Sequence, residues 1–287
     1  MYNGWIIYDD KDLKRNHFFK NALIQNAEKF GMTLTAMVKE NLLHGVKNGQ
    51  HLVAYNGKDI ELPDFVIMRS RDSFLSKQLE YLGIRVFNKT FVSEIGNNKA
   101  NTHQFFASFG IPMMESYFMS VKDCEKNATF IPYPVVVKCV KGHGGSQVHL
   151  AADEADLINK LPKFHSAQQL VVQKLAPVIG KDLRVYVLGE EIIAAVIRTN
   201  KQDFKANLSL GGTAELYYLN QEEKKLVHKI AEKLDADFIG IDFLFDSDGS
   251  LILNEVEDVV GTRALYQLTD IDITYLFMEY IYKVLTN

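Results

Sequence analysis

Hydrophobic and polar positions along the first third of the chain change period several times. Residues 4–8 ("GWIIY") form a short apolar run, residues 15–30 carry apolar positions at helical spacing up to Gly31, and residues 32–38 return to an extended pattern. Apolar residues at i, i+3 and i+4 predict a helix, whereas alternation or a short apolar run predicts a strand, so the opening reads β-α-β. "HLVAYNGKDIEL" alternates around Asn56-Gly57, the dipeptide that accepts the positive φ of a tight hairpin. "DFVIM", "SFLSKQLEYLG" and "IRVFN" then give strand, helix and strand again.

The pattern shifts after Val92. "NNKANTHQFFASFGIP" predicts a helix stopped by Gly110 and Pro112, leading through "ESYFM" to the strand "PVVVKCV". From Pro134 onward strands come in pairs: "VVVKCV" with "QVHL", then "QLVVQKL", then "DLRVYVLGEEIIAAVIRTN" folded at Gly189. A helix over Gln221–Leu234 precedes "FIGIDFLFDSDGSLILNEVE", two apolar strands around the turn Asp246-Ser247-Asp248-Gly249. The chain therefore predicts an α/β domain over 1–92, followed by α+β domains over 93–172 and 173–287 with antiparallel sheets.

Composition narrows the class of protein. A chain of 287 residues, 47% hydrophobic and 24% charged, is long enough for a full core. A net charge of -4 and a pI near 6.1 argue against a general nucleic-acid surface. No apolar run approaches the ~20 residues needed to span a bilayer, so no membrane partner is expected. Two cysteines, Cys124 and Cys139, are too few for a disulfide framework, and "MYNGWIIYDD" does not read as a signal peptide. These features predict a cytoplasmic protein.

Candidate chemistry gathers in two places. In "LILNEVEDVVGTR", alternation puts Glu255 and Glu257 on one side of a strand about 7 Å apart. Asp242 in "GIDFLF" lies on the preceding strand among apolar neighbours, where an unpaired carboxylate is costly. Three converging carboxylates without a His or Cys cluster fit hard Mg²⁺ or Mn²⁺, although an acidic strand end is also compatible with a solvated edge or a salt bridge. The second place is "VVVKCVKGHGGSQV". Gly142, Gly144 and Gly145 let backbone amides approach phosphate oxygens, and Lys138, set in an apolar strand, requires an anion or a wet cleft. A glycine-rich hairpin turn is the plainer alternative. Arg69 and Arg71 in "VIMRSRDSF" stand after a strand end, where α/β sheets face ligand crevices, or else on a solvated turn. Lys99, Asp182, Lys205 and Asn207 carry no meaning alone. The scattered histidines form neither a zinc site nor a triad, and the tyrosines of "DITYLFMEYIYKVL" read as a core helix.

Taken in order, "NNKANTHQFFASFGIP", "PVVVKCVKGHGGSQV", "VVQKL", "GKDLRVYVLGEEIIAAVIR", "DFKANLSLGG", "GIDFLF" and "NEVEDVVG" resemble the RimK-like ATP-grasp carboxylate-amine ligases over most of the chain. The resemblance implies an ATP-grasp fold: an N-terminal α/β pre-grasp domain, a central small domain and a C-terminal domain, with ATP clasped between the last two. It implies Lys99 and Lys138 at the nucleotide phosphates under a loop of Gly142, Gly144, Gly145 and Ser146. It further implies adenine read by the backbone of Lys174 and Leu175, Asp182 beside the ribose, Lys205 and Asn207 beside the phosphates, and Asp242, Glu255 and Glu257 as metal ligands. The family usually reads Glu-x-Asn where this chain has Glu255-Val256-Glu257, and "DVVGTRALY" replaces its usual proline-containing turn.

The expected reaction is amide formation through an acyl phosphate on an amino-acid or peptide substrate, using ATP and Mg²⁺ or Mn²⁺. Arg184, Arg198 and Arg263 are candidates for gripping the carboxylate or its adduct, because a guanidinium matches such oxygens in a bidentate way. A catalytically silent nucleotide-binding protein and a small-molecule kinase are the alternatives, and a homo-oligomer is compatible with the sequence.

Overall fold

The computed structural model describes residues 1–142, 147–206 and 211–287. The first lobe opens with β1 (Asn3–Tyr8), α1 (Asp10–Arg15), α2 (His17–Lys29) and β2 (Thr33–Val38). The helix expected over 15–30 is α2, and the short α1 precedes it across Asn16, whose side chain donates to the Asp12 carbonyl. An antiparallel sheet follows, of β3 (Leu42–Lys47), β4 (Gln50–Tyr55) and the two-residue β5 (Lys58–Asp59). The expected turn at Asn56-Gly57 joins β4 to β5, and Asn48-Gly49 makes a second turn with β3 in front of it. The lobe closes with β6 (Phe65–Met68), α3 (Ser73–Tyr81) and β7 (Arg85–Phe87), giving a parallel sheet ordered β2-β1-β6-β7.

Two helices, α4 (Thr90–Gly96) and α5 (Lys99–Ala107), carry the chain onward. Asn98 caps α5, accepting from the Ala100 and Asn101 amides, and so fixes Lys99 at the first helical position. The boundary expected near Val92 falls inside α4, where Val92 packs in one core with Phe106 and Val256 of the later sheet. The central lobe consists of β8 (Ser116–Ser120), α6 (Val121–Asn127), β9 (Val135–Cys139), β10 (Val148–Ala151), α7 (Glu154–Lys160) and β11 (Gln169–Lys174), in an antiparallel sheet ordered β10-β9-β11-β8. Alternation sends Val135, Val137 and Cys139 into a core under α6 and α7 and turns Val136 and Lys138 the other way. "VVVKCV" lacks a polar face because both faces of β9 are covered, one by this core and the other by the cleft.

The last lobe holds β12 (Lys181–Leu188), β13 (Glu191–Thr199), β14 (Thr213–Leu216), α8 (Gln221–Leu234), β15 (Phe238–Phe245), β16 (Leu251–Glu257), α9 (Arg263–Leu268) and α10 (Ile273–Thr286), with sheet order β14-β13-β12-β15-β16. One face buries Leu183, Val185, Ile239, Ile241 and Phe243 with Val227 and Ile230 of α8. The other face is divided. Its Tyr186 and Phe238 end packs with α10 and the first lobe, while the Asp182, Arg184 and Asp242 end is left to line a cavity. Gly240 of β15 permits a close approach there, since a Cβ at this position would stand 2.5 Å from Val260 Cγ2.

Candidate active site

A cavity of about 640 Å³ lies between the three lobes. It is lined by Lys99, Lys138, Gly142, Lys174, Leu175, Asp182, Arg184, Arg198, Lys205, Asp242, Glu255, Glu257 and Arg263, so these sequence-separated candidates do converge. Gly144, Gly145, Ser146 and Asn207 lie outside the described residues.

On the central-lobe wall, Lys138 is buried and its Nζ donates to Gln173 Oε1 and Asn254 Oδ1, each at 2.9 Å. Neutral amide oxygens do not offset desolvation of an ammonium, so burial brings the Lys138 pKa down to about 8, against the opposing pull of Glu255. Lys99 donates to the Gly142 carbonyl at 2.7 Å and pairs with Glu255 Oε2 at 2.7 Å. Two cations therefore face the cavity beside the glycine-bearing loop. Behind them His103 places Nε2 3.0 Å from the Asn254 carbonyl, and burial together with Lys138 lowers its pKa to about 4.

The acids come from the large sheet. Asp242 is opposite Glu255 and Gly240 is opposite Glu257, after which the β15–β16 register shifts, leaving Asn254 as an extra residue on β16. Such a bulge re-aims side chains, so Asn254 and Glu255 both reach the cavity although simple alternation would separate them. Asn254 is a site residue that the sequence did not point to. Oxygens of Asp242, Glu255 and Glu257 all lie within 4.8 Å of one another, a compact set of hard donors that fits a divalent cation.

Protein cations already neutralise these acids in part. Arg184 binds Asp242 through Nε and Nη2, each at 2.7 Å, and reaches Glu257 Oε1 at 2.8 Å. Arg198 pairs with Asp182 at 2.5 and 3.0 Å and with Asp242 Oδ2 at 3.0 Å. Burial alone would raise the Asp242 carboxyl, but the two guanidiniums override it and hold it well below the usual carboxylate range. Burial prevails at Glu257, whose pKa is raised despite Arg184. Arg184 and Arg198 are thus committed to carboxylates, and of the three expected substrate arginines Arg263 stands exposed at the cavity with no ion pair among the described residues.

In the segment expected at adenine, the Lys174 and Leu175 amides donate to the Glu115 and Pro134 carbonyls at 2.9 and 3.1 Å, so both N–H groups are already engaged. Val136, Val148 and Leu244 supply apolar walls on either side of this segment. Lys205 crosses between lobes, its Nζ 3.5 Å from the Val148 carbonyl.

A cavity clasped between two antiparallel sheets, with lysines on one and carboxylates on the other, defines an ATP-grasp protein. Residues 96–281 match the RimK-like ATP-grasp domain, and the chain belongs to that family. It is 29% identical over 281 residues to human N-acetylaspartylglutamate synthase A, covering 93% of this chain and 72% of that protein. It is 28% identical over 253 residues to zebrafish (Danio rerio) beta-citrylglutamate synthase B, covering 85% and 62%. The solved RimK domain ATP-grasp protein of Sphaerobacter thermophilus superposes with a TM-score of 0.76 at 17% identity, over 97% of this chain and 98% of that one. Among the described residues, no helix is long and apolar enough to cross a membrane.

Proposed function

We infer that this chain is an ATP-dependent carboxylate-amine ligase that joins the carboxyl group of one substrate to the amine of an amino acid or peptide. The observation carrying this reading is the opposition of Lys99 and Lys138 to Asp242, Glu255 and Glu257 across one cavity. In the reaction, a substrate carboxylate oxygen attacks the γ-phosphorus of ATP and ADP departs. The amine nitrogen then attacks the acyl carbon and loses a proton as phosphate leaves. Neither step needs a protein nucleophile, so the residues act by position and charge.

Lys99 and Lys138 hold phosphate oxygens, and Lys138 loses a neutral amide environment in exchange for an anionic one. Asp242, Glu255 and Glu257 would hold Mg²⁺, or Mn²⁺, which when bound there neutralises charge on the phosphate oxygens. Arg184 and Arg198 keep the acidic strand ends in place, and Arg263 faces the acyl side. Both cysteines are buried as free thiols, which suits a reducing cytoplasm.

The test is ADP release by the full chain over a panel of amino acids and short peptides, with product mass read in parallel. An amide product dependent on both substrates supports the ligase. A phosphoester formed without an amine would make it a kinase, and nucleotide binding with no turnover would make it a silent grasp protein.

A further inference from the structure

Behind the lysine wall of the cavity stands a buried imidazole. His103 is 3% exposed and lies on α5 one turn after Lys99, so the two side chains leave the same face of the helix. They reach neighbouring residues of β16: Lys99 pairs with Glu255 Oε2 at 2.7 Å, and His103 Nε2 stands 3.0 Å from the Asn254 carbonyl. A carbonyl has no proton to give, so the imidazole is the donor and its proton sits on Nε2. The ring also lies edge-to-face with Phe118 of β8, centroids 6.1 Å apart and planes at 89°. His103 therefore ties the large sheet to the central lobe.

The bond falls where the strand ladder is interrupted. Asn254 is the extra residue of the β16 bulge, with Leu253 opposite Phe243 before it and Glu255 opposite Asp242 after it. A bulged residue gives up ladder hydrogen bonds, and its peptide unit can tilt unless another group holds it. The carbonyl that His103 holds belongs to the Asn254–Glu255 peptide bond. That unit is planar, so fixing its direction fixes how both side chains leave the strand. Asn254 Oδ1 accepts from Lys138 Nζ at 2.9 Å, and Glu255 belongs to the compact trio with Asp242 and Glu257. Packing alone does not call for an imidazole here, since an apolar ring would fill the space without desolvating two nitrogens. Burial and Lys138 lower its pKa to about 4, so the ring is neutral near pH 7 and adds no charge beside the two lysines.

We propose that His103 is a positioning residue for the nucleotide and magnesium site: its Nε2–H holds the Asn254–Glu255 peptide so that Glu255 stays within the acidic trio and Asn254 keeps the Lys138 ammonium at the cavity before nucleotide arrives. His103 does not line the cavity, so it acts through that peptide. The inference rests on the nucleotide-binding half of the ligase reading and not on the identity of the acid or the amine. Its effect is preorganisation, which appears as affinity.

The experiment titrates a fluorescent, non-hydrolysable ATP analogue into the full chain with Mg²⁺ and follows denaturant unfolding of each variant. H103F keeps a ring against Phe118 and removes the N–H. H103Q carries an amide N–H to the neighbourhood of Nε2, whereas the shorter H103N places one near Nδ1, out of reach of the carbonyl. H103F and H103N should bind the analogue roughly 3–10-fold more weakly, the contribution of one neutral hydrogen bond, while H103Q should stay within about twofold of the unaltered chain. The comparison of H103Q with H103N decides the matter where H103F fails to fold. A role confined to packing would lower the stability of H103Q and H103N alike and leave the affinity of each folded variant unchanged, and that result would overturn the proposal. Equal weakening of binding by H103Q and H103N would overturn it too, because ring shape and not the N–H would then be responsible. Nitrogen NMR of the metal-free chain near pH 7 should show the His103 proton on Nε2; a ring protonated on Nδ1 alone would rule out the bond. Rescue of binding by H103Q without any amide product would uphold His103 and overturn the ligase; amide formation with no dependence on the N–H would do the reverse.

Discussion

Arg184 grips Asp242 with two parallel bonds of 2.7 Å while the same Nη2 lies 2.8 Å from Glu257, so one guanidinium spans two of the three clustered acids. Arg198 adds a third bond to Asp242, and Asp242 is therefore the point on which two buried cations rest. D242N keeps the shape and removes the charge, leaving both guanidiniums underpaired. Its unfolding free energy in denaturant should fall by about 3–5 kcal/mol. The Asp242 carboxyl is held below its ordinary range, so its contribution is complete at neutral pH and is lost as pH falls below about 4 towards the folded pKa. Acid titration of the unaltered chain should show a loss that D242N lacks; parallel curves would count against this pairing.

Glu257 plays a lesser part in folding. Removing its charge leaves Arg184 doubly bonded to Asp242, so E257Q should cost about 1 kcal/mol or less. Its effect should appear instead in the magnesium requirement. E257Q, and E257N with the residue usual in the family, should need more Mg²⁺ for half-maximal ADP release and recover when the ion is raised. A magnesium curve identical to that of the unaltered chain would remove Glu257 from the ligand set.

The contrast between Glu257 and Asn254 shows what the sequence made legible. Glu255 and Glu257 share a face by simple alternation, and Asp242 stood out as a carboxylate in an apolar strand, so the acidic trio could be read before any coordinates. Asn254 could not be, because its position depends on a register shift with no local marker in "LILNEVE". Arg184 and Arg198 were legible as cations near the site, but which acids they meet depends on cross-strand pairing between β12, β13 and β15. Helix α1 and strand β3 escape the sequence for a related reason: "DKDLKR" and "NLLHGVK" carry weak periodicity, and packing rather than propensity decides them.

Gly240 offers a test of packing beside the site. A methyl group there would meet Val260 Cγ2 at 2.5 Å, and Val260 also offers the carbonyl that holds Arg69. G240A should destabilise by roughly 1–3 kcal/mol through this clash. V260A should relieve part of that loss, so the double variant is expected to be more stable than the sum of the two single losses. Strictly additive losses by denaturant unfolding would mean that the two positions do not press on each other.

Lys138 gives the site a pH dependence of determinate sign. Its pKa is lowered from 10.5 to about 8 because burial desolvates the ammonium, a cost that the pull of Glu255 and the neutral amide oxygens of Gln173 and Asn254 do not offset. Between about pH 8 and 10.5 the unfolded chain holds a proton on this amine that the folded chain has released. Stability from this group therefore rises with pH across that window, on the order of 3 kcal/mol in all. Nucleotide binding runs the opposite way. Phosphate oxygens favour the ammonium, so above pH 8 binding must draw a proton from solvent, and affinity should fall by up to tenfold per pH unit. A fluorescent ATP analogue titrated from pH 7 to 9.5 reads this slope. K138R, which stays protonated throughout, should flatten it, because a guanidinium does not titrate in this range. A slope that survives K138R would assign the titration to another group and remove Lys138 from the phosphate site.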